Sequence, residues 1–513
     1  MNRTAVKNRS VLICLMVISG GVSAQWNQLG MDLEGGIDEA SAGWSVDINE
    51  DGTVVAVGSK AGWANGFDDA GEAQAFQWNG ETWEPRGLPL LGEAEYEWLG
   101  QSVSLNAAGD VMAVGSTNAQ NANGVSVGRV QVLEWDGGDW SQMGEDLMGL
   151  ESPTLTTFYG HAVDLSADGH SIAIGGPFRW SVDESLSDVG YVEVYDWTGE
   201  TWVLRGEAIY GSEEHNMWLG FDVALSADGQ TLVTGAPSFG PGWQENSRGL
   251  VRVYEWEDGM WTAKGQDFLG ALPGDDAGRS VSIANGGNTI AFSAPLSDFM
   301  VPGNFDGEVM VYDWDSDVWV LRGDTLSSME FHDEFGESVS LSSDGMRLAI
   351  GAPAVGNPAA LASMAGMGAV YEWQGNDWVQ IGAPILGEES MEFAHEVALS
   401  GDGSTFILGS FGFDPHGRAR VFRDEDWVSS RDRITVLESI TCFPNPSTGP
   451  VTVEGFEGVA RLELHSALGQ LVSFWDGCSA PFKLDLSRFA DGVYTLHGQT
   501  GTLHFTNRIA LQR

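Results

Sequence analysis

The chain has 513 residues, long enough for two or more domains, and carries 69 Gly, 21 Trp and 24 basic against 73 acidic side chains, a net charge of −49. Residues 1–24 hold three bases and no acid, and residues 441–513 hold six acids and five bases, so residues 25–440 concentrate 67 acids against 16 bases. Such a body repels nucleic acid and anionic membrane surfaces, which excludes a nucleic-acid partner and favours a soluble monomer.

At the N-terminus Arg3, Lys7 and Arg9 precede the short apolar run Val11 to Ile18, and Val22-Ser23-Ala24 offers small residues at a cleavage site. This predicts a secretory signal peptide over residues 1–24, with the mature chain starting near Gln25. The run is too short to span a bilayer, and no later stretch approaches that length. Cys14 leaves with the signal; Cys442 and Cys478 remain, and a bridge or two buried thiols are both compatible with an oxidising compartment.

From residue 43 one unit recurs: Gly, three residues ending in Val, an apolar residue, a turn with Asp-Gly or similar, then Gly-Ala-Pro, as in FGESVSLSSDGMRLAIGAP at 335–353. The opening positions are Gly43, Gly100, Gly160, Gly220, Gly278 and Gly336, with Ala394 standing in for the seventh, a spacing of 57–60 residues. Each unit reads as four strands: the Val/Leu alternation, the run into Gly-Ala-Pro, a Val-Tyr-Glu-Trp segment, and a strand opened by a second Trp. Seven four-stranded units predict an all-β, seven-bladed β-propeller over residues 25–428. Trp26 to Gly30 repeats the fourth-strand pattern of Trp378 to Gly382, while Asp424 replaces a Trp in the last unit. Residues 26–30 are therefore expected to complete the last blade and close the ring, removing exposed edges. The recurring tryptophans are expected to pack between outer strands.

These units resemble FG-GAP repeats, the motif of the integrin α-subunit propeller. The calcium-binding version of that family carries an Asp-rich loop between its first two strands. Here the place holds SADG, SSDG or NEDG, which offers too few oxygens for a calcium cage, so no metal or cofactor is expected. Asp313, Asp315 and Asp317 alternate beside one turn without counterparts in the other units.

The links between strands two and three, and between blades, are long and variable, and strand direction places both on one face of the disc. Acids collect there: Glu93, Glu95 and Glu97; Glu213 and Glu214; Asp275 and Asp276; Asp333 and Glu334; Glu388, Glu389 and Glu392. Trp63, Trp98, Trp180, Trp218 and Trp243 fall in the same loops. This face is the candidate binding surface, for a basic or cation-bridged partner or for a glycan stacked on aromatics. The residue after each opening glycine varies (Trp44, Gln101, His161, Phe221, Arg279, Glu337, His395), which fits either a binding pocket or a wet rim at the channel mouth.

After a polar linker at 429–440, short strands between Gly and Asn/Pro turns predict a small Ig-like β-sandwich at 441–513. Pro444-Asn445-Pro446, Ser447-Thr448-Gly449, Leu468-Gly469-Gln470 and Gly492-Val493-Tyr494 occur in the order of the C-terminal sorting domain of the type IX (Por) secretion system, which this segment resembles. The resemblance implies Pro444, Asn445, Pro446, Gly449, Gly492 and Tyr494 as sorting-motif residues and the type IX machinery as partner. It implies export to the outside of the outer membrane, with the domain commonly removed and the cargo released or attached to surface polysaccharide. No nucleophile–base set and no G-x-S-x-G or H-E-x-x-H motif occurs. The chain is therefore expected to be a non-catalytic binding or adhesion protein taking a glycan or surface protein on the long-loop face, the alternative being an extracellular polysaccharide hydrolase or lyase.

Overall fold

The computed structural model describes residues 26–425 and 441–512, apart from 38–39, 153–155, 212–214, 241–246, 298–305, 329–332, 414, 444–446, 449, 455–459, 466–470, 479–480, 491 and 501–502. The signal segment 1–24, the linker 429–440, Glu213, Glu214, Trp243, Pro444, Asn445, Pro446, Gly449 and Leu468-Gly469-Gln470 lie outside the described residues. The chain divides into two compact units between Asp424 and Glu425.

Among the described residues the first unit contains seven antiparallel sheets. The third is typical, with Val163–Leu165, Ser171–Gly176, Tyr191–Trp197 and Trp202–Leu204 side by side in chain order. Its second strand is buried at every position, because blades pack on both of its faces, and it reads as a continuous apolar run. In most blades the outer strand breaks at a glycine with positive φ, such as Gly206 at 77°, and Ile209–Tyr210 then resumes the pairing. The protein is thus a seven-bladed β-propeller.

The tryptophans hold the rim. Trp78–Trp83, Trp135–Trp140, Trp197–Trp202, Trp256–Trp261, Trp314–Trp319 and Trp373–Trp378 are cross-strand pairs with centroids 5.0–5.6 Å apart. The outer member of each pair also reaches the preceding blade. Its indole N–H donates to the carbonyl three residues after that blade's own outer Trp: Trp83 to Leu29, Trp140 to Arg86, Trp202 to Met143, Trp261 to Arg205, Trp319 to Lys264 and Trp378 to Arg322, at 2.7–3.2 Å. Trp26 completes the series by donating to Ile381 at 3.0 Å. Trp26–Gln28 pairs with Arg418–Asp424, and Leu33–Glu34 follows on the same strand. The N-terminal strand therefore closes the ring, with Asp424 facing Trp26 where other blades pair two tryptophans.

A second closed circuit runs round the opposite end of the channel. Backbone N–H groups of Glu50, Ala107, Ala167, Ala227, Asn285 and Ser343 each donate to the next blade, at Ala107, Ala167, Ala227, Asn285, Ser343 and Gly401, and Asp402 returns to Glu50, all at 2.9–3.2 Å. Between the two circuits, the small polar residues of the inner strands do more than leave room. Ser280 Oγ accepts the Val339 N–H, Ser282 Oγ the Leu341 N–H, and Ser338 and Ser340 those of Val397 and Leu399, at 3.0–3.1 Å. Asp47, Asp164 and Asp222 do the same for Leu105, Leu225 and Val281 at 2.6–2.7 Å. An inner strand has an unpaired edge, and these side chains satisfy donors that would otherwise be buried without partners.

The seventh blade departs from the expected register. Ala394 bridges Gly366 as Leu99 bridges Gly71 and Tyr159 bridges Gly128, so Ala394 corresponds to the residue before an opening glycine. The pairing then passes from Ala394 to Glu396 with His395 alone between them, where the second blade has Gly100 and Gln101 between Leu99 and Ser102. Ala394 is therefore not a substitute glycine; the blade is one residue shorter at this turn.

The second unit has a three-stranded sheet (Thr441–Phe443, Pro450–Glu454, Phe482–Asp485) and a four-stranded one (Leu471–Cys478, Ala460–His465, Gly492–Thr500, Leu503–Leu511). Val451, Val453 and Leu484 from the first share one core with Leu462, Leu464, Cys478, Leu496 and Ile509 from the second. Gly492 opens the long hairpin strand, and the Tyr494 hydroxyl donates to the Ala490 carbonyl at 3.0 Å.

Candidate functional site at the channel mouth

Blades are entered through a four-residue turn on the long-loop face. The fourth residue's N–H returns to the first residue's carbonyl, as in Gln101 to Trp98, His161 to Phe158, Phe221 to Trp218 and Glu337 to Glu334, at 3.0–3.3 Å. The third position needs positive φ, which explains the opening glycines, with φ from 81° at Gly43 to 94° at Gly336. The first position is left-handed as well, and glycine is absent from it: Trp98 (58°), Phe158 (52°), Trp218 (60°), Asp276 (56°), Glu334 (53°) and Phe393 (51°). Such a conformation costs a bulky residue about 1–3 kcal/mol. The structure thus brings Trp98, Trp218, Asp276 and Glu334 to one equivalent position, and adds Phe158 and Phe393, which the sequence reading missed.

The fourth residues of six blades and His395 of the shortened seventh converge on a cavity of about 230 Å³ at the mouth, lined by Trp44, Gln101, His161, Phe221, Arg279, Glu337 and His395. The variable slot is therefore a cavity lining. Two rings, Trp44 and Phe221, line the cavity, and a chain of ring contacts runs outward from each. Trp98 meets Phe158 edge-on at 5.8 Å, Phe158 meets Phe178 at 4.9 Å, Phe178 meets Trp218 at 5.3 Å, and Trp218 stacks on Phe221 at 6.3 Å. Across the seam Phe393 stacks on Phe411 at 5.5 Å and Phe411 meets Trp44 at 4.8 Å. All these rings are half-buried, which leaves part of each to solvent.

The remaining sector is polar. Arg279 Nε donates to Glu337 at 2.9 Å, and its guanidinium lies 4.7 Å from the Phe221 ring centre. Lys60 Nζ sits 3.2 Å from the Trp44 ring centre, and burial lowers its pKa to about 8. Burial pushes His161 down to about 4, partly opposed by its 2.8 Å hydrogen bond with the Phe221 carbonyl, and lowers His395 too, so both imidazoles are neutral at pH 7. Deeper in the channel, burial raises Asp222 to about 6, Asp47 to about 7, and Asp164 and Glu396 to about 8.

The acids predicted for this face separate into two groups. Glu93, Glu95, Glu388 and Glu389 are exposed on the loops between blades. Asp275 and Asp333 are not ligand-facing: they are 2% and 5% exposed, and they belong with Glu97 and Glu392 at one recurring position beneath the left-handed residue. Glu97 accepts the N–H groups of Glu93 and Ala94, Glu392 those of Glu388 and Glu389, and Asp275 that of Leu272, at 2.5–3.1 Å; Ser328 bonds Asp333. Glu97 also pairs with Arg129, and Glu392 with Arg418 and Arg420. These carboxylates cap loop backbone and neutralise buried arginines. Their recurrence just ahead of the opening turn was the sequence signal for a scaffold role.

Asp313 is turned inward, accepting Arg322 Nε at 2.6 Å and Thr289 Oγ1 at 2.8 Å, while Asp315 and Asp317 are exposed. Among the described residues no group of three His, Cys, Asp or Glu side chains is placed to hold a metal ion. None of the described helices is long and apolar enough to cross a membrane.

The propeller is followed by a strand-built unit whose residues 441–512 match the secretion system C-terminal sorting domain. The chain is accordingly a secreted or surface-delivered protein of the type IX route, built on a seven-bladed propeller. No curated protein matches the chain.

Proposed function

We propose that the propeller is a non-catalytic binding module that takes a carbohydrate at the channel mouth. The observation that carries this reading is the left-handed turn position occupied by Trp98, Phe158, Trp218 and Phe393. Glycine would relieve the strain, yet large rings are kept there in the turns that lead to a polar cavity, and strain of this kind collects at binding sites. Half-exposed rings suit the C–H faces of a sugar. Gln101, Arg279, Glu337 and the two neutral histidines supply donors and acceptors for its hydroxyls. Delivery outside the cell gives such a module access to extracellular glycans, and an adhesion role follows. The hydrolase alternative would draw on Asp222, Glu337 and Glu396, which line the same cavity. Arg279 holds Glu337 in an ion pair, and the other two already serve the inner strands or lie deep in the channel, which is why the parallel assay for breakdown is part of the test.

The test is a glycan array probed with the full secreted chain, with polysaccharide breakdown followed in parallel. Selective retention with no reducing ends released is expected. Release of reducing ends from a retained glycan would move the assignment to the hydrolase, and silence across the array would sink the carbohydrate reading.

A further inference from the structure

A second cavity, of about 330 Å³, lies away from the mouth, at the seam where the N-terminal segment meets the first blade. Its walls are mainly apolar, with Ile37, Val57, Phe76, Pro85 and Leu91 among them. The pocket is partly open to solvent, with Glu34, Gly36 and Pro85 exposed on its rim, and its apolar inner walls need an account.

Its origin is visible by comparing equivalent positions. Ala42 bridges Gly417 as Leu99, Tyr159 and Leu219 bridge Gly71, Gly128 and Gly190, so a large side chain is missing here. The fifth and seventh blades share the small residue, as Ala277 and Ala394. There the corresponding cross-strand pairs are the bulkier Phe292–Met310 and Leu408–Arg420, where the first blade has Val57–Gln74. Gly35 and Gly36 on the facing segment add no side chain.

Two polar groups face this apolar space. Glu72, 5% exposed, uses Oε2 to accept the Gly36 N–H at 3.0 Å. Glu72 and Ser59, the latter 2% exposed, are both among the residues that line the cavity. Burial raises the Glu72 pKa, partly opposed by the Gly36 N–H, and among the described residues Glu72 makes no ion pair.

We infer that the seam cavity is a binding site for a small apolar amine: the walls take the hydrocarbon, and Glu72 with Ser59 takes the ammonium. This is the usual composition of a small-molecule pocket, apolar walls with a few convergent polar groups. A bound cation would supply the missing partner of Glu72. It would also join Glu34 to Ile37 with the first blade, so binding reinforces ring closure and raises the unfolding midpoint.

The experiment uses the full secreted chain and three probes of one shape: benzylamine, benzyl alcohol and benzoate. Binding is read by calorimetry and by the shift in thermal midpoint. Benzylamine is expected to bind and stabilise, benzyl alcohol about tenfold more weakly, and benzoate not at all. Glu72→Gln should abolish the preference for benzylamine over benzyl alcohol. Ala42→Leu, which restores the bulk found at Leu99, should abolish binding of both without lowering the midpoint. Absence of benzylamine binding to the unmodified chain, or binding that survives Ala42→Leu in a folded protein, would overturn the assignment.

Discussion

The indole N–H of Trp26 donates to the backbone carbonyl of Ile381 at 3.0 Å, joining residues 355 apart in sequence. Each of the other outer tryptophans makes the equivalent bond to a blade that precedes it in the chain; Trp26 alone reaches forward to the far end of the propeller. Trp26 is 8% exposed and packs edge-on against Phe406 at 4.9 Å. Its replacement by alanine should cost about 3–5 kcal/mol, the usual loss for a buried tryptophan. Trp26→Phe should cost less, about 1–2 kcal/mol, through the lost hydrogen bond and some volume. Denaturant titration of both variants checks the order, and equal losses would mean that the packing of the ring contributes nothing beyond the indole bond.

Two glycines beside the tryptophan pairs, Gly323 after the outer Trp319 and Gly375 in the hairpin between Trp373 and Trp378, allow backbone strain to be separated from contact. Gly323 has φ +75° and a Cβ there would lie 2.7 Å from the Trp373 ring; Gly375 has φ +89° and nothing within 4 Å. Gly375→Ala should cost about 1–2 kcal/mol from the left-handed conformation alone. Gly323→Ala should cost about 1–3 kcal/mol more, because the Trp373–Trp378 pair must shift. Thermal unfolding of the two single variants is sufficient.

The division of the loop-face acids gives a prediction in stability. Glu392 is fully buried between Arg418 and Arg420, whereas Glu388, which also reaches Arg418, is 62% exposed. Glu392→Gln leaves two buried guanidinium groups short of charge and should cost about 3–5 kcal/mol. Glu388→Gln should cost less than about 1 kcal/mol. Equal tolerance of both changes would return Glu392 to the solvent-facing acids.

Channel carboxylates set the pH response. Burial, reinforced by Asp47 and Asp222, pushes Asp164 up to about 8, against the opposing N–H of Leu225 and the Ser104 hydroxyl. The folded protein therefore holds a proton that the unfolded chain releases above about pH 4, and this contribution is lost as pH rises toward 8. Asp47 and Glu396, raised to about 7 and 8, act in the same direction. His161, lowered to about 4, acts oppositely, and its effect falls between about pH 6.5 and 4. The unfolding midpoint should fall from pH 6.5 to pH 8.5, and Asp164→Asn should flatten that slope while still accepting the Leu225 N–H. An unchanged slope in the variant would mean that Asp164 is ionised throughout.

The blades were legible because their determinants are local: the Val/Leu alternation, the second-strand apolar run and the paired tryptophans each act within one unit. The spare strand at Trp26 was legible for the same reason, as a fourth-strand pattern without a blade of its own. The acids were not separable by composition. In Asp275-Asp276 and Asp333-Glu334 two neighbouring carboxylates look alike, and only the left-handed turn sends the first inward and the second to the mouth. Phe158 and Phe393 are not distinguished in the sequence from core phenylalanines, because their placement depends on backbone φ rather than on residue type. His395 was aligned to the variable slot, but the one-residue deletion that moves Ala394 out of the glycine position shows only in the pairing register.

The most direct test of the binding site measures affinity for the glycan retained on the array, using the full secreted chain and two sets of substitutions. Trp98→Ala and Trp218→Ala each remove a ring from the mouth, and each should weaken binding about tenfold with little change in thermal midpoint. Glu93→Gln with Glu95→Gln, on the outer loop, should leave affinity within about twofold. Loss of binding in the glutamate variant with full retention in both tryptophan variants would contradict the account and place the ligand on the acidic loops.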